Sequence, residues 1–434
     1  MTEIGILDFF KATLVSRFDA MATIDTLHKV YGQTFSLQLW GSAVSFTSDA
    51  EAIAPVLIEP GVNSQKSSDY KTVQCAIGKG LITQSGPSRR DMRRQHQPYF
   101  SHAMLESYAP LLNSHICGVL KEVADGKVRD LRTVASVIAI GGQLCCFFNS
   151  ETKVRPEEIY RAIHDTLRRH AQFSGLALLL SGRARLWCER LIKHGNKKLR
   201  KQLHLLANDC IDAPTLLNAR CTHAAFVGSS KEEIVEELLT YLIAGSEPTA
   251  ATICWITILL NQNPTIANKL DAEIALTCSS DSIPLNVSKV TYAECIVLES
   301  LRLYPPIWLL GRRLQTPVDL DSGTIACDVN AYVSTWTMHR STKYFPDPLK
   351  FDPDRWLTME AKPRAFIPFG AGSRKCIASS FAIMHLISAI TLMRQRVKIE
   401  LDSQEEVSLK RGLTLSPRTA IWVTLRENLP VPKK

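Results

Sequence analysis

Cys376 stands in FIPFGAGSRKCIASSFAIMHLISAI (366–390), the stretch of this 434-residue chain with the clearest chemistry. Gly370 and Gly372 make an irregular loop, and the cysteine immediately precedes an apolar run with helical spacing. A thiolate there is favoured by the positive end of the helix and by free backbone N–H groups. Arg374 and Lys375 add positive charge beside it. That combination suits a sulfur held deprotonated as a metal ligand. Two other readings stay open on this segment alone. One is a buried structural cysteine; the other is a reactive thiol, which needs a histidine base that the sequence does not single out.

A second stretch, LIAGSEPTA (242–250), sets Pro248 inside a long apolar helical pattern, between Glu247 and Thr249. Proline in a helix interior costs roughly 3 kcal/mol. It lacks an N–H, and its ring clashes with the carbonyl four residues back, here that of Ala244. From Leu238 to Leu260 the only charged residue is Glu247. A carboxylate so placed needs either a partner or a task. A third pair, Glu299 and Arg302, is spaced i,i+3 on one helix face, as a surface pair or as part of something buried.

Taken together these pieces resemble the cytochrome P-450 family, the haem-thiolate monooxygenases. Phe369-Gly370-x-Gly372-x-Arg374-x-Cys376 is similar to its haem-binding signature. Glu299-Ser300-Leu301-Arg302 looks like its E-x-x-R helix, and FPDPLKFDPDRW (345–356) like its later arginine segment, with Arg355 completing a Glu–Arg–Arg triad. AGSEPT (244–249) falls where the family has its oxygen-activation motif, and the segment 78–100 resembles the region around its C helix. The matches follow in order along nearly the whole chain.

The resemblance implies haem b with an axial thiolate from Cys376, and propionates held by Arg374, Arg312 and Arg93. Arg313 competes with Arg312 for its role, and Arg89 stands where the family usually has tryptophan or histidine. The implied reaction is insertion of one oxygen atom from O2 into an apolar small molecule, such as a terpenoid, fatty acid or polyketide. Ile307-Trp308-Leu309-Leu310, Leu413-Thr414-Leu415 and part of GLALLLSG (175–182) are expected to line its pocket. Electrons are expected from a separate ferredoxin or flavodoxin with its reductase, docking on a basic face of Arg89, Arg90, Arg93, Arg94 and Lys375.

The chain departs from the family's pattern at two places. Ala378 replaces a glycine after the cysteine, a tolerated change. Pro248 stands in place of the threonine whose hydroxyl helps deliver protons to bound oxygen. Proline frees the Ala244 carbonyl while deleting that hydroxyl, so a water can sit there near Glu247. Thr249 is offset by about 100° around the helix. Two alternatives follow: a peroxide-driven peroxygenase of the same fold, in which the preceding residue is an arginine rather than Glu247, and a non-catalytic haem-binding protein.

These residues need a scaffold, and the rest of the sequence predicts a mainly α protein with a smaller β portion, folded as one domain over 1–434. TFSLQLWGSAVSFTS (34–48) alternates as a β-hairpin around Gly41-Ser42. Helices are expected over 100–275, including a basic amphipathic one over 183–204, and strands at 316–337, 395–400 and 406–425. Ser230 and Glu233 form a capping box that opens the proline helix, and Asn263-Pro264 ends it. This helix is long enough to span a membrane, but a central carboxylate argues for a core helix over the haem. The first residues carry Asp8, Lys11 and Arg17 in their apolar run, so no signal or membrane anchor is expected, and the location expected is cytoplasmic. The formal charge of +9 is modest for the length, and no nucleic-acid-binding pattern accompanies it. The twelve cysteines include no C-x-x-C pair, which predicts thiols rather than disulfides.

Overall fold

The computed structural model describes residues 2–16, 19–39, 42–58, 65–67, 70–147, 155–179, 187, 190–194, 197–212, 230–277, 291–360, 362–402, 407–412 and 414–428. Strand β1 (Thr2–Ile4) and helices α1 (Ile6–Val15) and α2 (Ala20–Tyr31) precede strands β2 (Thr34–Leu39) and β3 (Ser42–Thr47). Helices α3 (Tyr70–Ile77), α4 (Gly86–His96) and α5 (His102–Val123) lead to β4 (Asp125–Asp130). Six longer helices follow: α6 (Leu131–Phe147), α7 (Pro156–Leu179), α8 (Lys197–Asp212), α9 (Lys231–Gln262), α10 (Pro264–Thr277) and α11 (Thr291–Leu303). Then come β5 (Leu309–Arg313), β6 (Asn330–Ser334), the short helices α12 (Thr335–His339) and α13 (Arg355–Thr358), and α14 (Ser379–Arg396). Strands β7 (Val397–Leu401), β8 (Leu409–Arg411), β9 (Leu415–Pro417) and β10 (Trp422–Glu427) complete the described chain.

The helical part is built around α9, which runs for 32 residues. Its start is fixed by the capping box: Ser230 Oγ accepts from the Glu233 N–H, and the Glu233 carboxylate accepts from the Ser230 N–H at 2.8 Å. By length and composition this helix could cross a membrane, but 78% of its apolar window is buried inside the protein. It packs on α6, α11 and α14, with α5 in the same apolar core holding Leu112, Ile116, Ile253, Ile296 and Leu386, and on α3 and α8, with α7 in a second core. Full apolar burial around a helix is what a nearly charge-free sequence requires.

A five-stranded sheet in the order β1-β2-β3-β6-β5 lies apart from the bundle. The hairpin expected over 34–48 is present, with Leu39 opposite Ser42; its turn residues 40 and 41 lie outside the described residues. β3 then pairs in parallel with β6, and β6 with β5 in antiparallel register, Arg312 facing Ala331. Within the expected strand window 316–337 only β6 forms; β5 ends at Arg313, before it, and an isolated bridge joins Val318 to Ile325. A pair of prolines at 305–306 masks the start of β5, because proline reads as a break. Helix α14 continues through Arg396, so β7 begins two residues later than expected, and the stretch 406–425 divides into β8, β9 and most of β10. Of the predicted basic helix, α8 covers the C-terminal part; residues 183–186, 188–189 and 195–196 are outside the described set, as are Leu413 and residues 180–182.

Candidate active site

The cysteine loop is shaped by its glycines. Gly370 and Gly372 have φ of 70° and 66°, the left-handed region that glycine adopts without a steric penalty. A Cβ on Gly372 would overlap the Leu57 carbonyl and lie 2.7 Å from Ile58 Cα, so the loop is pressed against segment 53–58. The Cys376 N–H donates to Phe369 O at 2.9 Å and the Lys375 N–H to Gly372 O at 3.0 Å. Phe369 packs against the bundle core, and Leu310 of β5 flanks Gly370.

Cys376 itself is accessible to solvent, yet it is enclosed deeply enough that burial pushes its thiol pKa up. The Ala378 N–H, Arg93 and Lys375 pull the pKa back down without outweighing burial.

Helix α4 grips this loop with two arginines one turn apart. Arg89 donates to Ser373 O at 2.5 Å and Arg93 to Lys375 O at 2.8 Å. Arg374 reaches back to Gln84 O at 3.1 Å and Ser85 Oγ at 3.0 Å. Arg312, 4% exposed on β5, joins them. Burial and then the charges of Arg93 and Arg312 bring the Arg89 pKa down to about 10, and burial with Arg89 and Arg312 does the same for Arg374. Among the described residues no carboxylate pairs with Arg89, Arg93 or Arg312. Arg313, by contrast, faces Asp328 at 3.9 Å on the outer side of the strand. Arg89 and Arg312 are buried and Arg93 and Arg374 partly so; like charges gathered this way beside a thiol call for an anionic partner, and a dianionic, metal-bearing ligand such as haem fits them.

Glu299, Arg302 and Arg355 are brought together at 0%, 0% and 7% exposure. Glu299 accepts from Arg302 Nε at 2.9 Å and Nη2 at 2.8 Å, and from Arg355 Nε at 3.1 Å. The Trp356 indole at 3.0 Å and the Asp352 N–H at 3.0 Å complete its shell. Arg302 also donates to the carbonyls of His339, Pro348 and Lys350, and Arg355 to that of Pro346. Every partner that a buried ion group needs is present. Trp356 and His339 were not singled out in the sequence; tryptophan beside an arginine and a lone histidine carry no positional signal of their own.

On α9, Thr249 is buried, and Ala244, Glu247 and Pro248 are partly so. Burial raises the Glu247 pKa, opposed by Lys410 and Arg132. The helix runs through Pro248 without a break. The Thr249 hydroxyl donates to Gly245 O at 2.7 Å, and Thr252 to Pro248 O at 2.8 Å. Thr249 therefore engages the carbonyl next to that of Ala244. Among the expected pocket residues, Leu415 is fully buried against Met21 and Trp336, with Trp308 packed beside them.

The family model for cytochrome P450 matches residues 9–423. The chain belongs to the cytochrome P450 family, and it is an oxidoreductase of the monooxygenase type, from a family that carries a haem iron with thiolate ligation. It is similar to human cytochrome P450 4V2, 26% identical over 439 residues that cover 90% of this chain and 82% of that one. It is equally similar to cyclooctat-9-en-7-ol 5-monooxygenase of Streptomyces melanosporofaciens, 26% identical over 85% of this chain and 83% of the relative. The fold matches the crystal structure of CYP175A1 from Thermus thermophillus with a TM-score of 0.79 and 21% identity, covering 98% of this chain and all of that one.

Proposed function

We propose that Cys376 is the axial thiolate of haem b in a monooxygenase domain spanning 1–434, acting on an apolar small molecule. The observation that carries this reading is Cys376 on its glycine-shaped loop, gripped by Arg89 and Arg93, beside the buried Arg89 and Arg312 and the partly buried Arg93 and Arg374. When bound, haem supplies the activation of O2 and the insertion of one oxygen atom into a C–H bond. The protein's own residues do the rest. The four arginines hold the carboxylates of the cofactor, with Arg89 added to the set by its place in the cluster. Gly370 leaves room over the loop, and Phe369 closes the end that faces the bundle. Glu299, Arg302 and Arg355 fix the segments that carry the loop.

Protons are the task of α9. Pro248 leaves the Ala244 carbonyl without an intrahelical donor, which suits a water there. Glu247, its pKa raised by burial, is placed to hold and release a proton to that water, while Thr249 stays bonded within the helix. An apolar substrate agrees with the Streptomyces relative, a cyclooctat-9-en-7-ol 5-monooxygenase. Electrons come from a ferredoxin or flavodoxin and its reductase, docking where Arg90, Arg94 and Lys375 present positive charge. The proposed location is cytoplasmic. Pro248 also favours a second reading, peroxide-driven turnover. Comparing both supplies on one substrate tests the proposal: turnover far faster with peroxide than with ferredoxin and reductase, with Glu247→Gln harmless, would overturn it.

A further inference from the structure

Three consecutive residues of α6 meet three other helices through polar side chains. A Cβ on Gly141 would overlap the His115 ring of α5. One on Gly142 would lie 2.5 Å from Cε1 and 2.7 Å from Nε2 of His385 on α14. Gln143 in turn lays its amide against Gly245 of α9, where a Cβ would overlap it. Glycine is a weak helix former; at these contacts it makes room for a histidine or a glutamine, and at Gly142 for Leu112 as well, 2.8 Å from such a Cβ.

The protein satisfies these polar groups only in part: His115 bonds Val137 O and His385 bonds the Ile138 backbone, while other atoms have no partner. Gln143 Oε1, His385 Nε2 and Ser388 Oγ are buried, at 4%, 1% and 0% residue exposure, with no hydrogen-bond partner among the described residues. Both amide atoms of Asn113 on α5, and Thr391 Oγ1 one turn beyond Ser388, are in the same state. Buried polar atoms in natural proteins are paired with protein or with ordered water, and buried waters bridge such groups. The set has an outer end: His115 is half-buried, and its Nε2–H donates to Val137 O, 3.2 Å away. It is close enough to His385 for their charges to interact. The inner end is Gly245, whose carbonyl receives the Thr249 hydroxyl.

We propose that His385, Gln143 and Ser388 line a file of internal water that carries protons from His115 to the Gly245–Thr249 segment of α9. This path reaches the helix from α6, whereas Glu247 faces Lys410 and Arg132. Protons pass along hydrogen bonds, one entering at His115 for each one released beside Thr249, so no group in the file changes its net charge. The role rests on the oxygen-dependent reading above; the water site does not.

A crystal structure of the holoprotein is expected to show ordered water bonded to Gln143 Oε1 and His385 Nε2. A dry cluster would overturn the proposal. Gln143→Leu and His385→Leu should each remove part of this water. Each should also raise several-fold the share of electrons lost as peroxide, with substrate binding to the holoprotein unchanged. If His385→Leu does not fold, Gln143→Leu and the native density still decide. Water present, with the peroxide share unchanged in Gln143→Leu, would sink the proton role. Turnover with peroxide alone would sink the oxygen-dependent reading and that role with it, leaving the water site to be judged by the density.

Discussion

His339 ties Arg302 to the cysteine loop. Its Nε2 accepts the Ile367 N–H at 3.2 Å, so its Nδ1 carries the proton and donates to Arg302 O, also at 3.2 Å. Ile367 O in turn receives the Gly370 N–H at 2.9 Å. One neutral imidazole thus connects the buried ion cluster to the loop that presents Cys376. Burial and the Arg302 charge push its pKa down to about 3.

That linkage fixes the sign of one pH effect. His339, His385 and His96 have folded pKa values near 3, 3 and 4, each lowered mainly by burial. Unfolded, each binds its proton near 6.5. Their stability is complete above about pH 6.5 and is lost as pH falls toward the folded values, by up to about 1.4 kcal/mol per pH unit for each. Urea denaturation at pH 7.5 and pH 5 should show a clear loss at the lower pH.

Glu237 has the opposite sign. Burial raises its pKa to about 7, against the pull of the Leu81 N–H at 2.9 Å. Its contribution is therefore whole below about pH 4.5 and is lost as pH rises to about 7. Glu237→Gln keeps an acceptor for Leu81 and removes the titration. Its melting temperature relative to wild type should be higher at pH 8 than at pH 5.

Glu299→Ala leaves Arg302 and Arg355 buried without their carboxylate, a loss of about 3–5 kcal/mol. Insoluble or haem-free protein is expected, measured as soluble yield and haem per chain. Haem-replete protein at wild-type yield would show that the ion cluster does not support the site.

Cys376→His tests the ligand directly. Wild-type ferrous protein with carbon monoxide should show the strongly red-shifted Soret band of thiolate ligation, and the variant should lose it. An unchanged spectrum in the variant would remove Cys376 from the iron.

Glu247→Gln should slow oxygen-dependent turnover by about 10²–10⁴-fold, the usual worth of a proton-transfer group. Pro248→Ala restores an N–H to the Ala244 carbonyl and should also slow turnover, with more peroxide released. Pro248→Thr, which brings back a hydroxyl, should be the milder change.

Local features were legible in the sequence because local chemistry causes them. The capping box, the paired glycines before Cys376 and the i,i+3 spacing of Glu299 and Arg302 all read directly. What collects residues from distant segments did not. Nothing in LLGRR says that Arg312 turns toward Arg89 while Arg313 turns toward Asp328; the pairing of β5 with β6 decides it. Nor does GGQ on α6 announce that its neighbours are histidines, because helix packing supplies them. The start of β5 was hidden by the prolines before it.

The parallel pairing of β3 with β6 also sets an order of events during synthesis. Residues 42–47 have β2 as their neighbour on one side, but their other edge waits until 330–334 have emerged, and β5 in turn waits for β6. Arg89 and Arg93 are made early, Arg312 late and Arg374 later still. The cationic cradle is therefore incomplete on the ribosome until most of the chain has been released from the exit tunnel. Long-range pairing of this kind folds slowly, so the arginines proposed to hold the cofactor come together only late in folding.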